Sequence, residues 1–344
     1  MVRATNWLGD AVMSLPAIRT VRQVFPRAHL AVVARPWVAD LYARETSIDR
    51  VIPYTAQRGL TGKRRFAHRL RDERFDAAIL LQNAFDAALM AWMAGIPERI
   101  GYNRDARGLL LTRAVAVPEP GEIPRHERFY YLELLRRAAL IERFPVSDAI
   151  RLEGIESARE AGLSHLSAIG VEGSPLGISP GAAYGNAKRW LPERFAETAA
   201  RFPEMPVLLF GSPSERPLCE TVAAQLGQAG LKVHNLAGKT TLREFIEMAA
   251  ACRLFLTNDS GSMHVASALG VPTVAIFGAT DDMTTGPTGP LARVVRRDAE
   301  CSPCLLRECP IDHRCMTAVT PGNVYEAASL LLTSAPQWTH ETKS

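Results

Sequence analysis

Short apolar runs recur along the chain with room for a helix between them: HLAVVA at 29–34, FDAAILL at 75–81, GLLLTRAVAV at 108–117, PLGISP at 175–180, PVLLFG at 206–211, KVHNLAG at 232–238, RLFLTN at 253–258 and PTVAIFG at 272–278. Continuous apolar runs of this length, bounded by Gly, Pro, Asn or Asp, are what strands covered on both faces look like. Strands alternating with helical patterns predict βαβ units and a mostly parallel sheet. The series is interrupted once. Residues 126–172 read as helices and connectors, after which PLGISPGAAYG starts a fresh strand and loop. The interruption predicts an α/β protein of two Rossmann-like, doubly wound domains at 1–160 and 170–325, followed by a C-terminal helix and tail at 326–344. Ligands in such sheets bind beyond the carboxyl ends of strands, so two facing domains would offer a cleft.

Composition narrows this picture. The chain has 344 residues, 47% of them apolar and 22% charged, a soluble globular balance and enough for two cores. The opening MVRATNWLGDAVMSLP does not read as a signal peptide. The longest apolar region is broken by Gln82, Asn83 and Asp86, which argues against a membrane span. A cytoplasmic protein is expected. The net charge of +4 is mild but uneven, because residues 58–74 carry seven Lys or Arg against two acids. Such a run is either a solvated helix face or a surface for anionic lipid or a phosphorylated substrate. No aromatic platform accompanies it, so no nucleic-acid partner is expected.

Four of the six cysteines, Cys301, Cys304, Cys309 and Cys315, lie in CSPCLLRECPIDHRC. In a reducing compartment the first pair has zinc-site spacing, while the later gaps fit no standard finger. A structural zinc and a loop packed by reduced thiols both stand. Cys219 and Cys252 read as small buried hydrophobes.

Three loops promise chemistry. NWLGDAVMSLP places Gly9 and Asp10 before an amphipathic helix. SPGAAYGNAKRWLPERF is a Gly-rich loop, with Ser179 and Gly181 at its start, that delivers Lys188. TNDSGSMHVASALG puts Asn258, Asp259, Ser260 and Gly261 at a helix start, with His264 one turn on. Asp, Asn or Ser there can cap the helix, and uncapped first-turn N–H groups can hold a phosphate. No GxGxxG follows a strand, which removes the main support for a nicotinamide dehydrogenase.

Taken in order, NWLGDAVMSLPAIRTVR, GIPERIGYNRDARGLLLT, SPGAAYGNAKRWLPERF, TNDSGSMHVASALGVPTVAIFGATD and CSPCLLRECPIDHRCM resemble the ADP-heptose:lipopolysaccharide heptosyltransferases, glycosyltransferase family 9, most of all its type II branch. The resemblance implies a GT-B enzyme that moves heptose from ADP-heptose to the heptosyl-Kdo2-lipid A inner core with inversion and without a catalytic cofactor. It implies Asp10 as general base, with helix capping the competing role for that residue. Lys188 would stabilise the leaving diphosphate. Ser179, Gly181, Asn258, Asp259, Ser260, Gly261 and His264 would line the donor site. Lys63, Arg64, Asn83 and Arg104 would meet the acceptor, with Phe85 and Arg107 nearby. An enzyme with such an acceptor would touch the inner membrane surface peripherally.

The chain also departs from the family pattern. It begins only a few residues before Asn6, so a short first strand is expected. Arg243 stands where relatives tend to carry an acid, and Glu244 is the candidate substitute. Asp281 and Asp282 do not have the spacing of a metal-binding DxD. Competing expectations are another type within the family, type I or III, or a GT-B enzyme that epimerises a nucleotide sugar at C2.

Overall fold

The computed structural model describes residues 1–55, 59–146 and 149–334. Arg58 and the tail from 335 onward, both included in the expectations above, lie outside the described residues. The chain divides into two units, Met1–Glu153 and Gly154–Ser344.

The first unit is built on β1 (Val2–Arg3), β2 (Ala31–Ala34), β3 (Arg50–Pro53), β4 (Ala77–Leu80), β5 (Glu98–Tyr102) and β6 (Arg113–Val115). They form one parallel sheet in the order β3-β2-β1-β4-β5-β6. The second unit repeats the plan with β7 (Leu176–Ser179), β8 (Val207–Leu209), β9 (Val233–Asn235), β10 (Leu254–Asn258), β11 (Thr273–Ile276) and β12 (Ala292–Val295), ordered β12-β11-β10-β7-β8-β9. Crossovers between parallel strands are right-handed, so a sheet whose strand order reverses direction carries helices on both faces. The predicted doubly wound class is therefore realised in both units.

Some predicted strands differ in extent. In the run at 108–117 only Arg113–Val115 pairs, while Gly108–Leu110 forms a 3-10 turn. Glycine suits this turn because its backbone lies against the Asn103 side chain, where a Cβ would meet Oδ1 at 2.3 Å. β1, β3, β5 and β12 were not among the apolar runs. β3 and β12 are edge strands with exposed positions, and β1 is two residues long and includes Arg3.

In the second unit the Ile155–Ala168 helix packs on the Leu242–Ala250 helix so closely that a Cβ at Gly162 would stand 2.0 Å from the Glu247 carbonyl oxygen. The two helices are also joined by His165 and Glu247, 3.0 Å apart. A buried cluster including Leu176, Ile178, Trp190, Phe195, Leu254 and Ile276 supports the strand ends that carry the loops below.

Candidate active site

In a doubly wound sheet the connections leave in opposite directions at the point where the strand order reverses, and the crevice there is the natural ligand site. In the first unit that point lies between β1 and β4, and the loops leaving it are 4–7 and 81–84. In the second it lies between β7 and β10, with loops 180–185 and 259–260. Asp10 and Asn83 stand just beyond the first pair. Lys188 and Asp259 stand on or just beyond the second.

In the second unit the Lys188 ammonium donates to Asp259 Oδ2 at 2.5 Å, and Thr280 donates to the same oxygen at 2.6 Å. Both charged side chains are largely buried, 13% and 5% exposed, so the pair is sheltered from water that would otherwise weaken it. The Tyr184 ring lies beneath the ammonium, 4.8 Å from its centroid. Asn258 is fully buried. Its Oδ1 accepts from the Trp190 backbone N–H at 2.9 Å and its amide donates to the Pro180 carbonyl at 2.7 Å. It thus staples the Gly-rich loop to the end of β10. Gly181 has no space for a Cβ, which would fall 2.0 Å from Glu215 Oε1.

The Gly261–Ala268 helix starts at this pair. Ser260 is its N-cap through the backbone, with no side-chain cap, and its hydroxyl instead pairs with Thr257 Oγ1 at 3.1 Å. Side-chain capping by Asn258, Asp259 or Ser260 is thereby corrected, because each of these side chains is engaged elsewhere. The N–H groups of the first turn, at the positive end of the helix dipole, take no bond from a cap. Ser179 Oγ donates to Ser262 Oγ at 3.1 Å, and His264 is buried one turn in.

In the first unit Asp10 is the third residue of the Leu8–Val24 helix, whose N-cap is Trp7. Asp10 is therefore not the cap that its sequence allowed. It is half-buried, and its charge reaches Glu127, Tyr42 and Tyr131. Burial pushes the Glu127 carboxyl up to about 7, with Asp10 adding to the shift and Arg104 opposing it.

The Tyr130 hydroxyl brings two expected acceptor residues together, accepting from Asn83 Nδ2 at 2.7 Å and from Arg104 at 3.4 Å. Arg107, expected near these residues, is fully buried. It donates to the Tyr102 and Gln82 carbonyls and to Asn83 Oδ1, tying the ends of β4 and β5. Burial lowers its guanidinium to about 10. Lys63 belongs to a second group, paired with Asp86, which also accepts from the Tyr54 hydroxyl at 2.7 Å. Arg64 lies exposed on the Leu60–Asp72 helix, outside both groups.

Thr280, Tyr130 and Asp86 were missed in the sequence because each acts through a partner far along the chain, and Tyr184, in the same loop as Lys188, because which ring meets the ammonium depends on how that loop folds. Arg243 forms an ion pair with Glu247, and Glu244, the candidate for the missing acid, is committed to a capping box with Thr241. Asp281 caps the Asp282–Thr285 turn and Asp282 pairs with Arg296 at 2.6 Å. Cys315 is held above its ordinary value by burial and by the charges of Cys301, Cys304 and Cys309. Even so, among the described residues no three of His, Cys, Asp and Glu are grouped so as to hold a metal ion.

Residues 63–314 match the model of glycosyltransferase family 9 (heptosyltransferase). Lipopolysaccharide heptosyltransferase 2 of Salmonella typhimurium is 33% identical over 305 residues, 86% of this chain and 87% of that protein. Lipooligosaccharide heptosyltransferase 2 of Campylobacter jejuni is 27% identical over 337 residues, 96% of this chain and 97% of that protein. The solved structure of E. coli ADP-heptose lipopolysaccharide heptosyltransferase II superposes with a TM-score of 0.81 at 30% identity, covering 97% of this chain and 98% of that one. A family model matched over most of the sequence, a relative one-third identical along nearly its whole length and the shared two-sheet GT-B fold together make this chain a member of glycosyltransferase family 9, the heptosyltransferases.

Proposed function

We infer that this enzyme transfers heptose from ADP-heptose to a lipopolysaccharide inner-core acceptor, most closely as a type II heptosyltransferase does. The observation that carries the reading is the buried Lys188–Asp259 pair at the start of an N-terminally uncapped helix. Glycosyl transfer builds positive charge on the sugar ring and negative charge on the departing diphosphate. An ammonium and a helix N-terminus are the groups that stabilise such an anion, and one preorganised donor is worth about 3 kcal/mol in comparable sites. Asp259 holds Lys188 in place before the donor arrives, and the diphosphate then shares the ammonium with it.

Ser179, Gly181, Ser260, Gly261 and His264 belong to the donor pocket in this reading, while Asn258 serves it by stapling the Gly-rich loop. On the first unit Asp10 takes the proton from the acceptor hydroxyl as that oxygen attacks the anomeric carbon. Glu127, neutral below about pH 7, adds no second negative charge beside Asp10 there. Asn83, Arg104, Lys63 and Arg64 supply donors and positive charge for an acceptor bearing carboxylates and phosphates. The first unit is then the acceptor unit and the second the donor unit.

No helix among the described residues is long and apolar enough to cross a membrane. In this reading the enzyme meets its lipid-linked acceptor by peripheral contact with the membrane surface. A structural zinc at Cys301, Cys304, Cys309 and Cys315 is a separate reading supported by thiol chemistry alone. Stoichiometric zinc in the purified protein would establish it, and no step of the transfer passes through it.

The deciding assay measures ADP release from ADP-heptose with and without a heptosyl-Kdo2-lipid A acceptor. Release that depends on the acceptor, with a heptosylated product, is expected. Acceptor-independent conversion to another nucleotide sugar would overturn the reading in favour of an epimerase.

A further inference from the structure

The segment 302–309 contributes no group to the transfer described above, yet it is bonded to both sides of the Lys188–Asp259 pair. On one side it holds the Gly-rich loop. Tyr184 donates its hydroxyl to the Leu305 carbonyl at 3.0 Å, and the Ala187 N–H donates to the Arg307 carbonyl at 3.0 Å. The Asn186 amide donates to Glu308 Oε2 at 2.8 Å while its Oδ1 accepts from the Cys309 N–H at 3.0 Å. Gly185 lies so close that a Cβ would stand 2.1 Å from the Arg307 carbonyl oxygen.

On the other side the segment holds the end of β11. Leu305 N–H donates to the Ala279 carbonyl at 2.8 Å, and Ser302 Oγ to the Gly278 carbonyl at 2.6 Å. The next residue, Thr280, is the one that bonds Asp259.

We propose that residues 302–309 are a brace for the donor pocket and that Asn186 is its positioning residue, setting where the Lys188 ammonium stands. This rests on the reading of Lys188 as a diphosphate ligand. Asn186 does not touch the ammonium. It acts through one turn of backbone, since Asn186–Lys188 is a single 3-10 turn closed by Arg189 N–H to the Asn186 carbonyl at 2.9 Å. An amide suits the position because it must donate to a carboxylate and accept from a backbone N–H at once. Aspartate would lose the donor and set a second carboxylate against Glu308. Alanine would lose both bonds and leave the turn tied only by the Ala187 and Tyr184 contacts.

The test uses the full-length chain and two readouts. In the ligand-free protein, Lys188 is labelled with an amine-reactive reagent and quantified by mass spectrometry, with the exposed Lys232 and Lys239 as references. Asn186→Ala is expected to raise the Lys188 labelling rate at least threefold and leave the references unchanged. A general loosening of the fold would also expose the buried Cys219 and Cys252 thiols to a thiol reagent in a parallel labelling, which loss of the brace alone would not. Tyr184→Phe keeps the ring under the ammonium and deletes only the bond to Leu305, so it must shift Lys188 in the same direction if Asn186→Ala does not fold.

The second readout is ADP affinity by calorimetry. Asn186→Ala is expected to weaken ADP about tenfold in the native background and less than twofold in a Lys188→Ala background, because the brace acts through that ammonium. Unchanged labelling, or the same loss of affinity in both backgrounds, overturns the proposal. A native chain that binds no ADP overturns the donor reading instead, and the labelling then decides the brace alone.

Discussion

At the scale of single residues, what could be read in advance was the kind of group in each loop, and what could not was which groups meet. Lys188 and Asp259 are both conspicuous in loops after apolar runs, yet 71 residues separate them and no local pattern joins them. Asp10 and Ser260 show the converse, since their sequences suit capping and the folded chain uses them otherwise. Glu127 gave no signal at all, because its character comes from burial and from Asp10's charge. Its carboxyl rises from 4.5 to about 7, so the folded chain holds that proton more tightly than the unfolded one. Its stabilising contribution is therefore complete below pH 4.5 and lost as pH rises through 7. Glu127→Gln should stabilise the protein by about 1–3 kcal/mol at pH 8, with the gain vanishing toward pH 4.5. Denaturant midpoints at the two pH values measure it, and a gain that is equal at both would refute the assignment. Asp10→Asn should shrink the gain by removing the second cause of the shift.

Elements were legible where a strand carries an apolar run, as at β4, β10 and β11, and illegible where it does not, as at the exposed edge strands β3 and β12, at the two-residue β1 and at β5, which opens on Glu98 and Arg99. Helices followed the same rule. In Leu60–Asp72 the residues Gly62, Phe66, Ala67 and Leu70 are buried while Arg64, Arg65, Arg69 and Arg71 face solvent, so the basic run is one side of an amphipathic helix. Each Lys or Arg at an anionic membrane surface contributes about 1 kcal/mol. Replacing Arg64 and Arg65 together by Glu should therefore weaken sedimentation with phosphatidylglycerol vesicles about tenfold or more at low salt. Vesicles of phosphatidylcholine should show no difference. Lys63 is a poor choice for this experiment because it is already paired with Asp86. Equal binding of the variant and native chains to the anionic vesicles would remove this helix from any membrane role.

Across the molecule, two sheets of the same topology each reverse strand order once, and Asp10, Asn83, Lys188 and Asp259 stand at or just beyond those reversals. The alternation of runs and helices foretold two parallel sheets, but strand order depends on which strands pair and is invisible in a single run. The division of chemistry between the units yields a separable pair of phenotypes. In the proposed reaction Asp10 acts on the acceptor hydroxyl and Lys188 on the diphosphate, and they lie in different units. Asp10→Ala should lower kcat by at least a hundredfold, the scale of losing a general base, while ADP affinity stays within twofold of the native value. Lys188→Ala should raise the donor KM and lower kcat together, because the ammonium meets the diphosphate both before and during its departure. Saturating ADP, at 100 times its Kd, adds about 2.7 kcal/mol to the unit that binds it. The resulting rise in thermal midpoint should persist in Asp10→Ala and shrink in Lys188→Ala. A variant at position 10 that loses the ADP-induced shift would place that carboxylate on the nucleotide and end the division of labour between the two units.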